Sequence, residues 1–90
     1  MFKKLKGVKL SYEQQGFIRF TCLTYHNQPQ KIKNKILNLC VETANEKYKA
    51  LFELMTTPKT VVSISLGHFV SETTLYNLRR KFYHSWYEGE

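Results

Sequence analysis

The segment HFVSETTLYNLRRKFYHSW, residues His68–Trp86, carries the clearest structural signal in this chain of 90 residues. Its large apolar side chains recur every three or four residues, which places them on one face of an α-helix. These side chains are Leu75, Leu78, Phe82 and Trp86. Ser71 precedes the pattern and is a favoured N-cap residue, and Glu72 suits the positive end of the helix dipole. The segment predicts an amphipathic C-terminal helix that begins at Glu72.

Three earlier helices are predicted from caps and apolar spacing. Ser11 and Gln14 match a capping box, which predicts a helix from Tyr12 to the HNQP segment. The apolar residues of this helix also alternate as in a strand, but the cap before them and the turn after them favour a helix. Pro29 is expected at the first position of the second helix, and Asn45 is expected to cap the third.

The segment from Thr57 to Gly67 fits two structures. Thr57 and Pro58 predict a cap and a first helical residue, whereas the β-branched residues of KTVVSISL are typical of a strand. The helices expected on either side favour a short helix. We therefore predict an all-α fold of about five helices, with one domain over residues 11–90 and a basic N-terminal arm over residues 1–10.

The charge of the chain favours polyanionic partners. Fourteen Lys and Arg residues face seven acidic residues, all of them Glu, which gives a net charge of +7. Lysines crowd the N-terminal arm and residues 31–35, and Arg79, Arg80 and Lys81 follow one another. A domain this small and this basic attracts nucleic acid, although a solvated basic surface is the alternative explanation.

A short helix, a tight turn and a second helix form a helix-turn-helix, which we predict over about residues 57–86. Val61 and Ile64 can pack the first helix against the second, and Ser65 is the small residue expected where they cross. The outward face of the second helix then carries side chains that suit base edges. These are Thr73, Tyr76, Asn77 and Arg80. Asn pairs with adenine and Arg with guanine, so the pattern predicts contact with double-stranded DNA in the major groove.

The run FVSETTLYNLRRKF resembles the recognition half of bacterial helix-turn-helix regulators, especially sigma-region-four-like phage late regulators and the Mga-type group. The resemblance implies DNA binding by the helix that begins at Ser71, and a role in transcription regulation for a phage or mobile element, with host RNA polymerase or another host protein as a further partner. Phe69 stands where the turn of such proteins often has Gly.

The predicted site divides into residues that contact bases and residues that contact phosphates. Bases are expected to meet Thr73, Tyr76, Asn77 and Arg80, with Thr74 beside them. Phosphates are expected to meet Ser71, Arg79, Lys81, Lys3 and Lys4. Two alternatives remain open: docking on a host protein or nucleoprotein complex, and RNA binding in which Tyr76, Tyr83 and Tyr87 stack on bases. A homodimer would use the aromatic segment Phe82–Tyr87.

Other functions find little support in the sequence. No carboxylate pair or nucleophile with a base is apparent, so we expect no enzyme activity and no cofactor. The three His and two Cys residues lack the short spacing of a metal site. Cys22 and Cys40 lie in apolar surroundings, which predicts buried, reduced thiols and a cytoplasmic protein. No apolar run is long enough to span a membrane.

Overall fold

A computed structural model describes residues 7–88. Five α-helices make up most of this part of the chain, which contains no strand, so the all-α prediction is confirmed. They are α1 (Tyr12–Leu23), α2 (Gln30–Ala44), α3 (Tyr48–Thr56), α4 (Val61–His68) and α5 (Glu72–Ser85). Short 3₁₀ turns follow α1 at Tyr25–Asn27 and precede α3 at Asn45–Lys47. The ambiguous KTVVSISL segment is helical from Val61 onward.

Both serine caps form as predicted. The Ser11 hydroxyl accepts a hydrogen bond from the Gln14 N–H, and the Gln14 side chain accepts one from the Ser11 N–H, each at 3.0 Å. The Ser71 hydroxyl accepts from the Thr74 N–H at 3.1 Å, which starts α5 at Glu72. Each cap satisfies helix N–H groups that have no partner within the helix.

Three predicted helix starts are wrong by a few residues. Pro29 has extended backbone and is the N-cap of α2, so the first helical residue is Gln30. Asn45 does not cap α3, because it ends α2 with φ 51° and its side chain makes no capping bond. The helix expected after Thr57 starts instead at Val61, where the Thr60 hydroxyl accepts from the Ser63 N–H at 3.1 Å.

Helix α3 lies at the centre of the fold and contacts each of the other four α-helices. Its buried side chains face the apolar stripe of α5. The stripe predicted from the sequence is buried throughout: Leu75, Leu78, Phe82 and Trp86. Ile18 of α1, Ile36 of α2 and Ile64 of α4 complete the same core. Burial of this face fixes which side of α5 is left for other contacts.

No helix within residues 7–88 combines the length and the apolar character that crossing a membrane requires.

Cys22 and Cys40 are free and buried, as predicted. Burial raises the pKa of each thiol from 9.0 to about 12, so the reactive thiolate is scarce at neutral pH. We expect a thiol reagent at pH 8 to label neither cysteine at an appreciable rate in the native protein. Both should react at once in denaturant. Fast labelling of both without denaturant would contradict their burial.

Two side chains fix the C-terminal end of α3, from which α4 departs. Arg19 of α1 donates hydrogen bonds to the backbone oxygens of Leu54, Met55 and Thr57 at 2.8, 3.0 and 3.1 Å. Because the last carbonyls of a helix have no partner within it, this guanidinium caps α3. Glu53 bonds Lys59 at 2.8 Å and His68 at 2.7 Å, and these bonds lower the pKa of its carboxyl group. Glu53 thus ties α3 to both ends of α4.

Candidate functional site

Helices α4 and α5 are joined by three residues, Phe69–Ser71, a length typical of a helix-turn-helix. Phe69 ends α4 in the left-handed conformation, with φ 56° and ψ 42°. The N–H groups of Phe69 and Val70 both donate to the Ser65 backbone oxygen, which closes the turn. The turn therefore places a bulky L-residue where glycine is favoured sterically.

We expect Phe69→Gly to stabilise the protein by about 1 kcal/mol, because it removes the strain of the left-handed conformation. The lost side chain costs little, since Phe69 is 95% exposed. Thermal unfolding checks this, with a rise in Tm of about 4–8 °C. Phe69→Ala is the matched control: it truncates the ring but keeps the strain, so its Tm should stay close to that of the wild type. A lower Tm for the glycine variant would contradict the claim that the backbone at Phe69 is strained.

The outward face of α5 carries Thr73, Asn77 and Arg80, which lie close to one line along the helix because residues three or four apart share a face. Thr73 and Asn77 are exposed and Arg80 is half-buried. The Arg80 Nη1 donates to the Asn77 side-chain oxygen at 2.7 Å. This bond orients the amide and guanidinium groups relative to each other before any ligand binds. The face can donate and accept several hydrogen bonds side by side.

The hydroxyl of Ser71 is already engaged in capping the N-terminus of α5. Besides accepting from the Thr74 N–H, it donates to the Thr74 hydroxyl at 2.8 Å. A phosphate at this end of α5 would therefore meet backbone N–H groups and the helix dipole rather than the serine side chain.

Arg79 lies on a different side of α5 from Arg80 and is half-buried. Its guanidinium carbon is 5.3 Å from the centre of the Tyr76 ring, which remains 39% exposed. Burial lowers the pKa of the Arg79 guanidinium, and the charges of Arg19 and Arg80 lower it further. The Arg79 Nε is buried and has no hydrogen-bond partner.

Lys81 points to a third side of α5, different from the sides of Arg79 and Arg80. It is exposed and lines a shallow cleft at α2 together with Glu42, His84 and Glu88. The three cations thus point to three sides of α5. Two lysines of α2 make cation–π contacts. The Lys35 Nζ lies 4.3 Å from the centre of the Trp86 ring, and the Lys33 Nζ lies 5.7 Å from the centre of the Tyr25 ring.

Residues 7–10 of the basic arm lie against the C-terminal half of α5. Val8 is buried, and the Lys9 N–H donates to the His84 Nε2 at 3.1 Å. Gly7 has φ 80°, and a Cβ added there would lie 3.4 Å from the Arg80 Nε, so glycine permits a close approach. The segment leaves the N-terminal half of α5 open. Lys3 and Lys4 are outside the described residues.

Burial at the aromatic end of α5 contradicts one predicted surface and reduces another. Tyr83 is only 1% exposed, because it packs into the core beside Phe82, so it cannot stack on an RNA base. The segment Phe82–Tyr87 offers less aromatic surface to a dimer than predicted, since Trp86 is buried too and Tyr87 is partly buried against the core. Of the three tyrosines considered for stacking, Tyr76 keeps the most accessible ring.

An exposed apolar stripe on α4 was missed in the sequence. Val62, Leu66 and Phe69 are spaced by four and three residues and are exposed on one side, whereas Val61 and Ile64 are buried on the other. The β-branched residues of this segment obscured the helical period. The stripe ends at Phe69, three residues before the first residue of α5, and so lies close in sequence to the N-terminal half of that helix.

Within residues 7–88, no three His, Cys, Asp or Glu side chains come close enough together to hold a metal ion. The cation-rich surface around α5 is the candidate site considered below. Comparison of the chain with protein-family models, with curated proteins and with solved structures finds no match.

Proposed function

We propose that this protein binds double-stranded DNA sequence-specifically through a helix-turn-helix formed by α4 and α5. The observation that carries the proposal is the outward face of α5, where the exposed Thr73 and Asn77 lie opposite a buried apolar stripe, with the half-buried Arg80 one turn further along. The helix starts at a serine cap after a three-residue turn. Such a helix can insert its N-terminal residues into the major groove, while the buried face holds it on the domain.

The outward face supplies the base contacts in this proposal. The Asn77 amide suits the donor and acceptor pair of adenine, and the Arg80 guanidinium suits the two acceptors of guanine. Thr73, one turn nearer the helix start, offers a hydroxyl and a methyl group. Tyr76 and Thr74 flank this line on opposite sides.

In this proposal the remaining cations contact the phosphates that flank the major groove on both sides. Lys81 lines the cleft beside α2, Arg79 lies next to Tyr76 on the other side of the outward face, and the N–H groups at the start of α5 can bind a further phosphate. Lys3 and Lys4 are assigned to phosphates in this proposal by their charge alone. The net charge of +7 supports this assignment, because most of the affinity for DNA comes from neutralised phosphates. Regulation of transcription is the proposed role, on the resemblance of the α5 segment to helix-turn-helix regulators.

Selection of bound duplexes from a random DNA pool tests the proposal. We expect an enriched sequence motif, and an affinity for the selected duplex that falls steeply as salt rises. Equal binding of selected and unselected duplexes at physiological salt would contradict sequence-specific recognition.

Lys81→Ala should weaken binding to every duplex alike and lower the slope of log affinity against log salt by about one. The physical reason is that a phosphate contact positions the protein without distinguishing base pairs. Fluorescence anisotropy at several salt concentrations, with the selected duplex and a scrambled one, measures both quantities. A change confined to the selected duplex would show that Lys81 contacts a base instead.

A second candidate function is docking on an apolar surface of a partner protein, which the stripe Val62, Leu66 and Phe69 favours. Leu66 and Phe69 are 73% and 95% exposed, which is unusual for apolar side chains next to each other. Apolar docking depends weakly on salt, whereas phosphate contact depends on it strongly. The salt titration that tests DNA binding therefore separates the two functions.

A further inference from the structure

Residues 7–10 form a strap that is held on the domain at several points. The Lys9 N–H donates to the Nε2 of His84 in α5 at 3.1 Å. The carbonyl of the last strap residue accepts from the Nε2 of the buried Gln15 in α1 at 3.0 Å. Val8 is buried and belongs to the core. The strap therefore has a defined position against the domain, and His84 is its hydrogen-bond partner on α5.

The first residue of the strap lies against Arg80. Gly7 has φ 80°, and a Cβ added there would lie 3.4 Å from the Arg80 Nε and 3.6 Å from its Cδ. The far end of the same guanidinium donates from Nη1 to the Asn77 side-chain oxygen at 2.7 Å. Main-chain atoms of the strap thus border the side chain that contacts a base in the proposed function. A shift of the strap would leave this side chain room to move.

The bond to Lys9 determines the protonation state of His84. A backbone N–H can only donate, so the His84 Nε2 must carry a lone pair, and the ring is the neutral tautomer with hydrogen on Nδ1. A proton on Nε2 would place two donors face to face and break the bond. Histidine is the side chain that ordinarily changes charge between about pH 5 and 8. The bond is therefore present at the upper end of this range and is lost as the pH falls.

The charged groups around His84 come from several elements. Lys81 lies one turn earlier on α5, Glu42 lies on α2 and Glu88 follows α5, and all three line the same cleft as His84. The Lys9 side chain of the strap is exposed. The carboxylates of Glu42 and Glu88 can stabilise the imidazolium once it forms. Protonation thus removes the bond to the strap without leaving an uncompensated charge in the cleft.

We propose that His84 is a pH-sensitive latch for the strap and, through it, a positioning residue for Arg80. Neutral His84 holds Lys9 and keeps Gly7 against the arginine side chain. Protonated His84 releases Lys9, so the strap opens more often and Arg80 is less well placed. The latch is a property of the fold, whereas its effect on DNA rests on the proposed function. Recognition of a specific duplex should be less selective at acid pH than at neutral pH.

Nitrogen NMR of the histidine rings tests the latch in the full chain without DNA. At about pH 8 we expect His84 to carry hydrogen on Nδ1 alone, with a scalar coupling across the hydrogen bond from the Lys9 amide to Nε2. The coupling should disappear as the ring takes up its second proton, near about pH 6. Hydrogen on Nε2 at the higher pH would overturn the proposal.

Amide hydrogen exchange measures how often the strap opens. The protection factor of the Lys9 N–H should fall about fivefold between about pH 8 and 5.5, the effect of one lost hydrogen bond. His84→Gln supplies a carbonyl acceptor of similar reach that does not titrate, so its protection should stay constant. His26→Gln removes an exposed histidine from the turn after α1 and should behave as the wild type. Constant protection in the wild type, or an equal fall in His84→Gln, would contradict the latch.

The ratio of Kd values for unrelated and selected duplexes tests the link to Arg80. This ratio should fall about fivefold over the same pH range in the wild type and stay constant in His84→Gln. Protonation of other histidines raises the affinity for both duplexes alike and cancels in the ratio. A constant ratio with an opening latch would overturn the positioning role. If no duplex is selected at any pH, the proposed function fails, and the latch stands or falls on the two measurements without DNA.

Gly7→Ala tests the contact with Arg80 at constant pH. A side chain at φ 80° is strained and its Cβ would lie 3.4 Å from Arg80, so the strap must shift, and the ratio should fall about fivefold. Gly67→Ala in α4 is the matched control, because a Cβ added there meets no group of residues 7–88 within 4 Å outside its own helix backbone. It should leave the ratio unchanged. Equal ratios in the two variants would show that the strap does not position Arg80.

Discussion

Leu75→Ala should destabilise the protein by about 2–5 kcal/mol, as expected for the truncation of a buried leucine. Leu75 is completely buried between α5 and the rest of the core, so the shorter side chain leaves a cavity as well as losing apolar contact. Chemical denaturation measures this as a lower midpoint with an unchanged slope. DNA affinity should fall only as far as the folded fraction falls.

Leu66→Ala is the matched control for this truncation. It removes the same atoms from the neighbouring helix α4, but Leu66 is 73% exposed, so stability should change by less than about 0.5 kcal/mol. Similar losses in the two variants, or no loss in Leu75→Ala, would mean that the buried face of α5 has been assigned wrongly.

Local rules predicted the parts of the fold that depend on neighbouring residues. A serine hydroxyl that accepts from the N–H three residues later favours a helix start, and both Ser11 and Ser71 make this bond. Helical spacing also identified the buried stripe of α5, because a small domain has one core and a face of large apolar residues must join it.

The errors at helix starts arise where a polar residue ends the preceding helix instead of starting the next one. The Thr57 hydroxyl donates to the Glu53 backbone oxygen at 2.7 Å, so it completes α3 and does not cap α4. Helix α4 is capped instead by Thr60, three residues later. Asn45 similarly ends α2, its N–H donating to the Val41 oxygen. Sequence alone does not determine which of two adjoining helices a polar side chain will serve.

The candidate site was predictable only where it depends on one helix. The outward positions of Thr73 and Asn77 follow from the helical period. The different surroundings of Arg79 and Arg80 do not, because they involve Arg19 and the segment at Gly7, which are distant in sequence. The burial of Tyr83 was missed for the same reason: its environment includes α1.

Asn77→Ala should leave the fold intact and cost about 1–3 kcal/mol of discrimination between the selected duplex and an unrelated one. Asn77 is exposed, so its truncation creates no cavity. It does remove the acceptor of the Arg80 bond, and the guanidinium becomes less well oriented. We therefore expect Arg80→Ala to have a similar effect, and the double variant to lose less than the sum of the two, since the side chains act together.

The most direct test of DNA recognition by α5 is the ratio of dissociation constants for unrelated and selected duplexes at physiological salt, measured for wild type and Asn77→Ala. We expect a wild-type ratio of at least about a thousand. The ratio should fall in Asn77→Ala, with affinity for the unrelated duplex and thermal stability both unchanged. A wild-type ratio near one, or the same ratio in both proteins, would contradict the assignment of α5 as the helix that distinguishes base pairs.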